Sequence, residues 1–310
     1  MFCLLSAIIL GVLSLFSASH RPLAREALDC VLRRVTFRPC TAGFKEKMKG
    51  KIIGRLLDRS PLAARFVHQR FELLSWIFFV LMMLSTVWTI RGGYNYYMYG
   101  SCNGLNSTGF CVFDPTGKSN QTSSLSTQCS VDGIQERGLT LDPISIDEFP
   151  RINTTAKDTV VFIGCYSCDY TRKAYPMMKR LIDETRARFA FVHFPVKEET
   201  TYLSSYAYCV NKEYPERFFE WNERVFQSEK NDIRQPNFVD AFTAAMGIDM
   251  KRVDACLSDV KTKEIVKRHQ EEITATGIYG TPTIFFNGRA YVGPKPYRVY
   301  RNALRHFWFW

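Results

Sequence analysis

The chain has little histidine and a single Cys-x-x-Cys pair. Its five histidines (His20, His68, His193, His269 and His306) are scattered, and Cys165-Tyr-Ser-Cys168 has no second pair to complete a zinc set. A structural metal is therefore not expected. There is no internal repeat, which excludes a solenoid. Acid is short as well, at 30 Asp and Glu against 41 Lys and Arg, yet no nucleic-acid-binding module accompanies that excess of base. Ten cysteines in 310 residues are too few for a small disulfide scaffold. With 46% apolar and 23% charged residues, wholesale disorder is excluded and a sizeable core is expected.

Charge is absent altogether from Phe2–Ser19 and Leu73–Ile90, 18 residues each. As helices these would measure roughly 27 Å, just enough to cross a bilayer core. Between them, residues 20–71 hold 13 Lys and Arg and four acids, a net +9 that leaves only +2 for the other 258 residues. Basic loops stay in the cytoplasm. The expectation is a two-helix transmembrane hairpin: 1–19 as the first span, 20–71 as a basic cytoplasmic loop, 72–91 as the second span. The rival reading is a cleaved signal peptide, because Leu15-Phe-Ser-Ala-Ser19 has small residues near a possible cut; against it, Met1–Cys3 has no basic start. In either case everything after about residue 91 is expected outside the cytoplasm. The basic block suits anionic lipid headgroups, so membrane lipid, not nucleic acid, is its expected partner.

Tyr94, Tyr96, Tyr97 and Tyr99 suit a membrane-interface belt. Residues 92–156 are expected to be an extracytoplasmic spacer, rich in Ser, Thr, Gly and Asn between 101 and 140. Sequons at Asn106, Asn120 and Asn153 agree mildly with an exterior position. From 157 to 310 the pattern reads as an α/β domain. Thr159–Ile163 and Phe189–Phe194 are strands. Asp169–Arg188, Thr200–Val225, Gln235–Met246, Lys251–Gln270 and Tyr297–Phe307 are helical. Asn287-Gly288 turns a hairpin between Ile284–Phe286 and Arg289–Val292.

The chemistry-bearing stretch is Gly164-Cys165-Tyr166-Ser167-Cys168-Asp169, between the first strand and its helix. A cysteine at a helix N-terminus feels unpaired N–H groups that favour thiolate, the attacking species in disulfide exchange. Asp169 opposes that by like-charge repulsion. A second piece, Gly280-Thr281-Pro282-Thr283, precedes the hairpin. Thr281-Pro282 is a candidate cis peptide that would present the Thr281 backbone to an extended polypeptide.

Together these resemble the thioredoxin superfamily, specifically its membrane-anchored DsbA-like thiol-disulfide oxidoreductases, over residues 157–307. The resemblance rests on Gly280-Thr-Pro-Thr-Ile-Phe-Phe-Asn-Gly288, on Tyr208-Cys209 followed by Phe218-Phe219-Glu220-Trp221, and on Ala255-Cys256-Leu257. It implies a thioredoxin fold with a helical insertion at about 200–270, and a structural Cys209–Cys256 disulfide. In that family the kink proline usually lies eight residues after the nucleophilic cysteine. Pro176 is eight after Cys168 but eleven after Cys165. Cys168 then takes the nucleophile position, and Thr171 stands where the family has its second cysteine.

Two mechanisms follow. In one, Cys165 and Cys168 form the redox disulfide. In the other, Cys168 works alone and Thr171 donates a hydrogen bond to its sulfur. The resemblance implies cysteine-containing exported polypeptides as substrates and no cofactor, since sulfur carries the electrons. It implies a prokaryotic plasma-membrane location with the catalytic domain outside. It also implies a redox partner: a membrane quinone reductase of the DsbB or vitamin-K-epoxide-reductase type, or a transporter delivering reducing thiol equivalents. The alternative is a redox-inactive thioredoxin-fold module that binds polypeptides; a third reading makes the basic hairpin an assembly device. Of the remaining cysteines, Cys102 and Cys111 bracket a loop and could pair. Cys3 and Cys129 are left outside, and Cys30 and Cys40 are expected as reduced cytoplasmic thiols. His193, in a strand, reads as a core residue.

Overall fold

The computed structural model describes residues 21–35, 60–107, 109–119, 138–196 and 198–305, with isolated positions at 11, 18, 49–50, 53–54 and 56–57. The first expected span, most of the basic loop, Asn120, Cys129 and the aromatic terminus Phe307–Trp310 lie outside these residues. The chain divides into two compact units, Met1–Ile90 and Arg91–Trp310.

The first unit contains helices α1 (Arg21–Val35) and α2 (Pro61–Gln69) and most of α3 (Phe71–Tyr99). Arg33 and Asp29 pair one turn apart at 2.8 Å on α1. α2 opens with proline, whose missing N–H is unneeded there. Among the described residues one helix is long and apolar enough to cross a membrane, over Trp76–Tyr99. None of its most apolar window is buried. A helix apolar on every face, and exposed among the described residues, suits lipid rather than a protein core. The first span of the expected hairpin lies outside the described residues, which show one candidate span. The helix also runs nine residues past Ile90, so the tyrosines expected as a belt after the span form its last turns.

The second unit is a five-stranded sheet in the order β1-β3-β2-β4-β5. The strands are β1 (Arg151–Ile152), β2 (Thr159–Gly164), β3 (Arg188–His193), β4 (Thr283–Phe286) and β5 (Arg289–Val292). β2 and β3 are parallel, and the other pairs are antiparallel. Strands buried on both faces read as unbroken apolar runs, and β2 shows why. Val160 and Phe162 enter one core with Phe189, Phe191, Ile284 and Phe286. Val161 and Ile163 enter the other with Ala190, Val192 and Phe285. Each such side chain contributes roughly 1.5–3 kcal/mol by leaving water. The right-handed β2-β3 crossover expected for such a pair is helix α4 (Asp169–Thr185), with Pro176 inside it.

The insertion has more helices than the sequence predicts. Thr200–Val225 is two, α5 (Tyr202–Glu213) and α6 (Phe218–Gln227). Pro215 drives the preceding Tyr214 out of helical backbone, to φ −142° and ψ 62°. After α7 (Pro236–Ala245), Lys251–Gln270 is also two, α8 (Met250–Ser258) and α9 (Val260–Ala275). Asp259, at φ −68° and ψ 128°, ends the first and caps the second, its carboxylate accepting from Lys261 N–H at 3.0 Å. α10 (Tyr297–Leu304) closes the domain. The structure joins Cys209 on α5 to Cys256 on α8, with Cα atoms 5.7 Å apart, and Cys102 to Cys111.

Two sequons have another explanation. Asn106 and Asn153 sit at φ 58° and 55°, a region asparagine tolerates better than most residues. The Asn106 amide donates to Ala290 O (2.9 Å) and accepts from Val292 N–H (2.8 Å), pairing with the β5 edge. The Asn153 amide donates to Ala187 O at 3.1 Å.

Candidate active site

Cys168 is the N-cap of α4, with extended backbone (φ −80°, ψ 123°), and its carbonyl accepts the first helical hydrogen bond from Arg172 at 3.0 Å. Its sulfur therefore sits at the positive end of a 17-residue helix. Sγ lies 3.3 Å from the carbonyl oxygen of Thr281. The Thr281-Pro282 bond is cis. β2 and β4, paired from Val160 to Ile163, bring these two loops together.

Cys165 and Cys168 are neighbours without being joined. Cys165 is a free thiol at 0% exposure. Cys168, at 2%, is disulfide-bonded. Cys102, Cys111, Cys209 and Cys256 are bonded to one another, so the partner of Cys168 is neither Cys165 nor any of these. The Cys165–Cys168 disulfide, one of the two expected arrangements, is thus absent from this state. Cys165 Sγ is turned instead toward hydroxyls, Ser167 Oγ at 3.3 Å and Thr200 Oγ1 at 3.8 Å.

Thr171 also departs from expectation. Its hydroxyl accepts from the backbone N–H of Cys165 at 3.3 Å and does not donate to the Cys168 sulfur. The close approach requires Gly164, because a Cβ there would lie 2.5 Å from Thr171 Cγ2 and 2.8 Å from Phe162 Cε1. Glycine at the end of β2 thus lets the first turn of α4 tie down the cysteine loop.

The carboxylate of Asp169, expected to oppose thiolate formation, is paired with Lys230 at 2.7 Å. Arg172 is a group the sequence reading missed. Its guanidinium donates to the carbonyls of Tyr166 (2.6 Å), Ser228 (2.6 Å) and Phe226 (3.2 Å). It clamps the cysteine loop to the C-terminal end of α6, where carbonyls lack helical donors. Burial lowers its pKa from the usual arginine value.

Beneath the loop, Tyr166 is fully buried and donates to Asn222 Oδ1 at 2.6 Å, while Asn222 donates to Tyr175 OH at 2.9 Å. Burial holds the Tyr166 hydroxyl well above the ordinary tyrosine pKa. His193 stacks on Tyr166 with ring centres 4.3 Å apart, and its Nδ1 meets Ser204 Oγ at 2.9 Å. Burial pushes its pKa down to about 3, so the ring is neutral. Among the described residues no three His, Cys, Asp or Glu side chains gather as metal ligands.

Residues 153–306 match the family model described as thioredoxin. The C-terminal half of this chain is a thioredoxin-like domain. Its structural neighbours include a thioredoxin-like oxidoreductase from Silicibacter pomeroyi DSS-3, 16% identical, covering 51% of this chain and 90% of that one at a TM-score of 0.46. The thiol-disulfide exchange protein alpha-DsbA2 from Wolbachia pipientis is 18% identical, covering 50% and 85% at 0.44. Oxidised BdbD from Bacillus subtilis is 20% identical, covering 56% and 93% at 0.43. Among curated proteins, Na(+)/H(+) antiporter NhaA 3 of Salinispora tropica is 23% identical over 137 residues, 44% of this chain. NhaA 1 of Salinispora arenicola is 23% identical over 136 residues. Each match spans about a fifth of the antiporter, 21%.

Proposed function

We propose that the chain is a membrane-anchored thiol-disulfide oxidoreductase acting on cysteine-containing exported polypeptides, with Cys168 as the exchanging sulfur. The observation that carries this is the position of Cys168 Sγ: at the N-cap of α4 and 3.3 Å from the Thr281 carbonyl beside the cis bond. The helix end stabilises the departing or attacking thiolate. The Thr281 backbone, next to Pro282, supplies an edge for an extended substrate.

In the oxidising direction a substrate thiolate attacks Cys168 Sγ of the oxidised protein. A substrate–Cys168 disulfide forms, and the former partner of Cys168 leaves as thiolate. A second substrate thiolate then attacks the substrate sulfur. The substrate gains a disulfide and loses two electrons and two protons, and Cys168 leaves as thiolate. The reverse sequence reduces a substrate disulfide. A redox partner of the membrane quinone-reductase or reducing-transporter type would reset the site. Cys165 holds the loop from beneath and is not the partner in the state seen.

The second reading, a polypeptide-binding module with inert cysteines, is favoured by the near-complete burial of both sulfurs. Insulin reduction under dithiothreitol, with the full chain in detergent, separates the two. The oxidoreductase reading expects catalysis by the wild type and by Cys165→Ser, and none by Cys168→Ser. An inactive wild type that still binds unfolded polypeptide would favour the module.

A further inference from the structure

We propose that the segment 102–113, its first ten residues closed by the Cys102–Cys111 disulfide, is a lipid-contacting foot that dips into the bilayer surface beside the end of α3. It rests on the reading that α3 spans a membrane. Phe110 and Val112 are 77% and 75% exposed, and Phe113 is also exposed. Phe110 and Val112 pointing outward, with half-exposed Phe113 beside them, are an unusual surface for a water-facing loop. They flank Cys111, whose bond to Cys102 fixes the loop. Asn103 donates to Phe110 O at 3.2 Å, and the Asp114 carboxylate accepts from Ser119 N–H at 2.7 Å and Lys118 N–H at 3.2 Å. The tip is thus held out by construction.

The loop's direction selects the partner. It leaves α3 after Tyr99 but turns back along the helix, where Phe113 stacks on Tyr96 at 6.0 Å. Cβ atoms built on Gly92 and Gly93 would lie 3.7–3.9 Å from Cys102 and Phe113, ordinary van der Waals contact, so the loop lies against this face of the helix. Gly92 lies about 10 Å down the axis from Tyr99, at roughly 1.5 Å per residue. That level is two residues beyond the uncharged stretch ending at Ile90. Exposed Tyr94 and Tyr97 stand on the same turns, with exposed Arg91 and Lys118 nearby as headgroup cations. Continuity with the apolar helix therefore favours a phospholipid surface as the occupant.

The test places benzoylphenylalanine singly at Val80, Phe110, Val112 or Val260 of the full chain. Each variant is reconstituted in phosphatidylcholine–phosphatidylglycerol vesicles carrying a trace of biotinylated phospholipid. After illumination, positions 110 and 112 should capture lipid several-fold above position 260, an exposed valine on α9, and position 80 should do so too. Capture at 80 with 110 and 112 at the level of 260 overturns the foot and leaves the span standing. No capture at 80 removes the span, and the foot with it. A protein–protein adduct from 110 or 112 in place of lipid overturns the proposal in favour of contact between copies.

Discussion

Two pairs of cysteines in one domain have different surroundings. Cys209 and Cys256 sit inside helices α5 and α8, buried among apolar side chains and bonded to each other. Cys168 sits at a helix start, against a carbonyl and between opposed charges, while Cys165 lies beneath it as a free thiol. The sulfur is the same atom in each. Placement inside a helix gives it no stabilising field. Placement at an N-cap beside the Thr281 backbone gives it one. On the proposed reading, a tie and a reactive centre differ by position on a helix, not by residue type.

The largest effect that would sharpen this contrast is Cys168→Ser. It should remove thiol-disulfide exchange down to the uncatalysed rate in the insulin assay while leaving the melting temperature near that of the reduced wild type. Replacing both Cys209 and Cys256 by serine should do the opposite. Opening a loop of separation 47 should cost about 4 kcal/mol, a fall in Tm of roughly 8–16 °C by calorimetry. Exchange should persist below the new Tm. Equal loss of exchange in both variants would erase the distinction.

The third effect concerns the floor of the site. His193 has a folded pKa of about 3, below the value near 6.5 of the unfolded chain. Between those values the unfolded state binds the extra proton, so stability falls as pH drops. The slope from this group is at most about 1.4 kcal/mol per pH unit. His193→Phe should flatten the urea midpoint between pH 4 and 6.5 relative to wild type. Next, Gly164→Ala should destabilise by about 1–3 kcal/mol through overpacking against Thr171 and Phe162, read from the same urea curves. The smallest effect is Lys230→Ala. The exposed pair with Asp169 is worth about 0–1 kcal/mol. Freeing that carboxylate beside Cys168 should disfavour its thiolate, seen as slightly slower alkylation of the reduced protein at neutral pH.

Much of the fold was legible because its signals are local. Asn287-Gly288 turns the hairpin, Thr281-Pro282 is cis, and the apolar runs at 160–163 and 189–192 are the central strands. β1 was not legible, since two residues carry no period. Pro215 and Asp259 announce the breaks that split the insertion's helices, but apolar spacing runs through both. Cys168 was marked by a helix start and Thr281 by its dipeptide, and the structure sets the two 3.3 Å apart. Arg172 was not, because its partners are carbonyls 54 and 56 residues away. Spacing places the Thr171 hydroxyl one turn from Cys168 but does not say which way it faces; here it accepts from the Cys165 N–H.

The most direct test is thiol-trapping mass spectrometry on the full chain, equilibrated in glutathione buffers of graded potential. The account predicts that Cys168 passes reversibly between thiol and disulfide while Cys165 stays a thiol throughout. A reversible Cys165–Cys168 disulfide, or a Cys168 that changes at no potential, would contradict it.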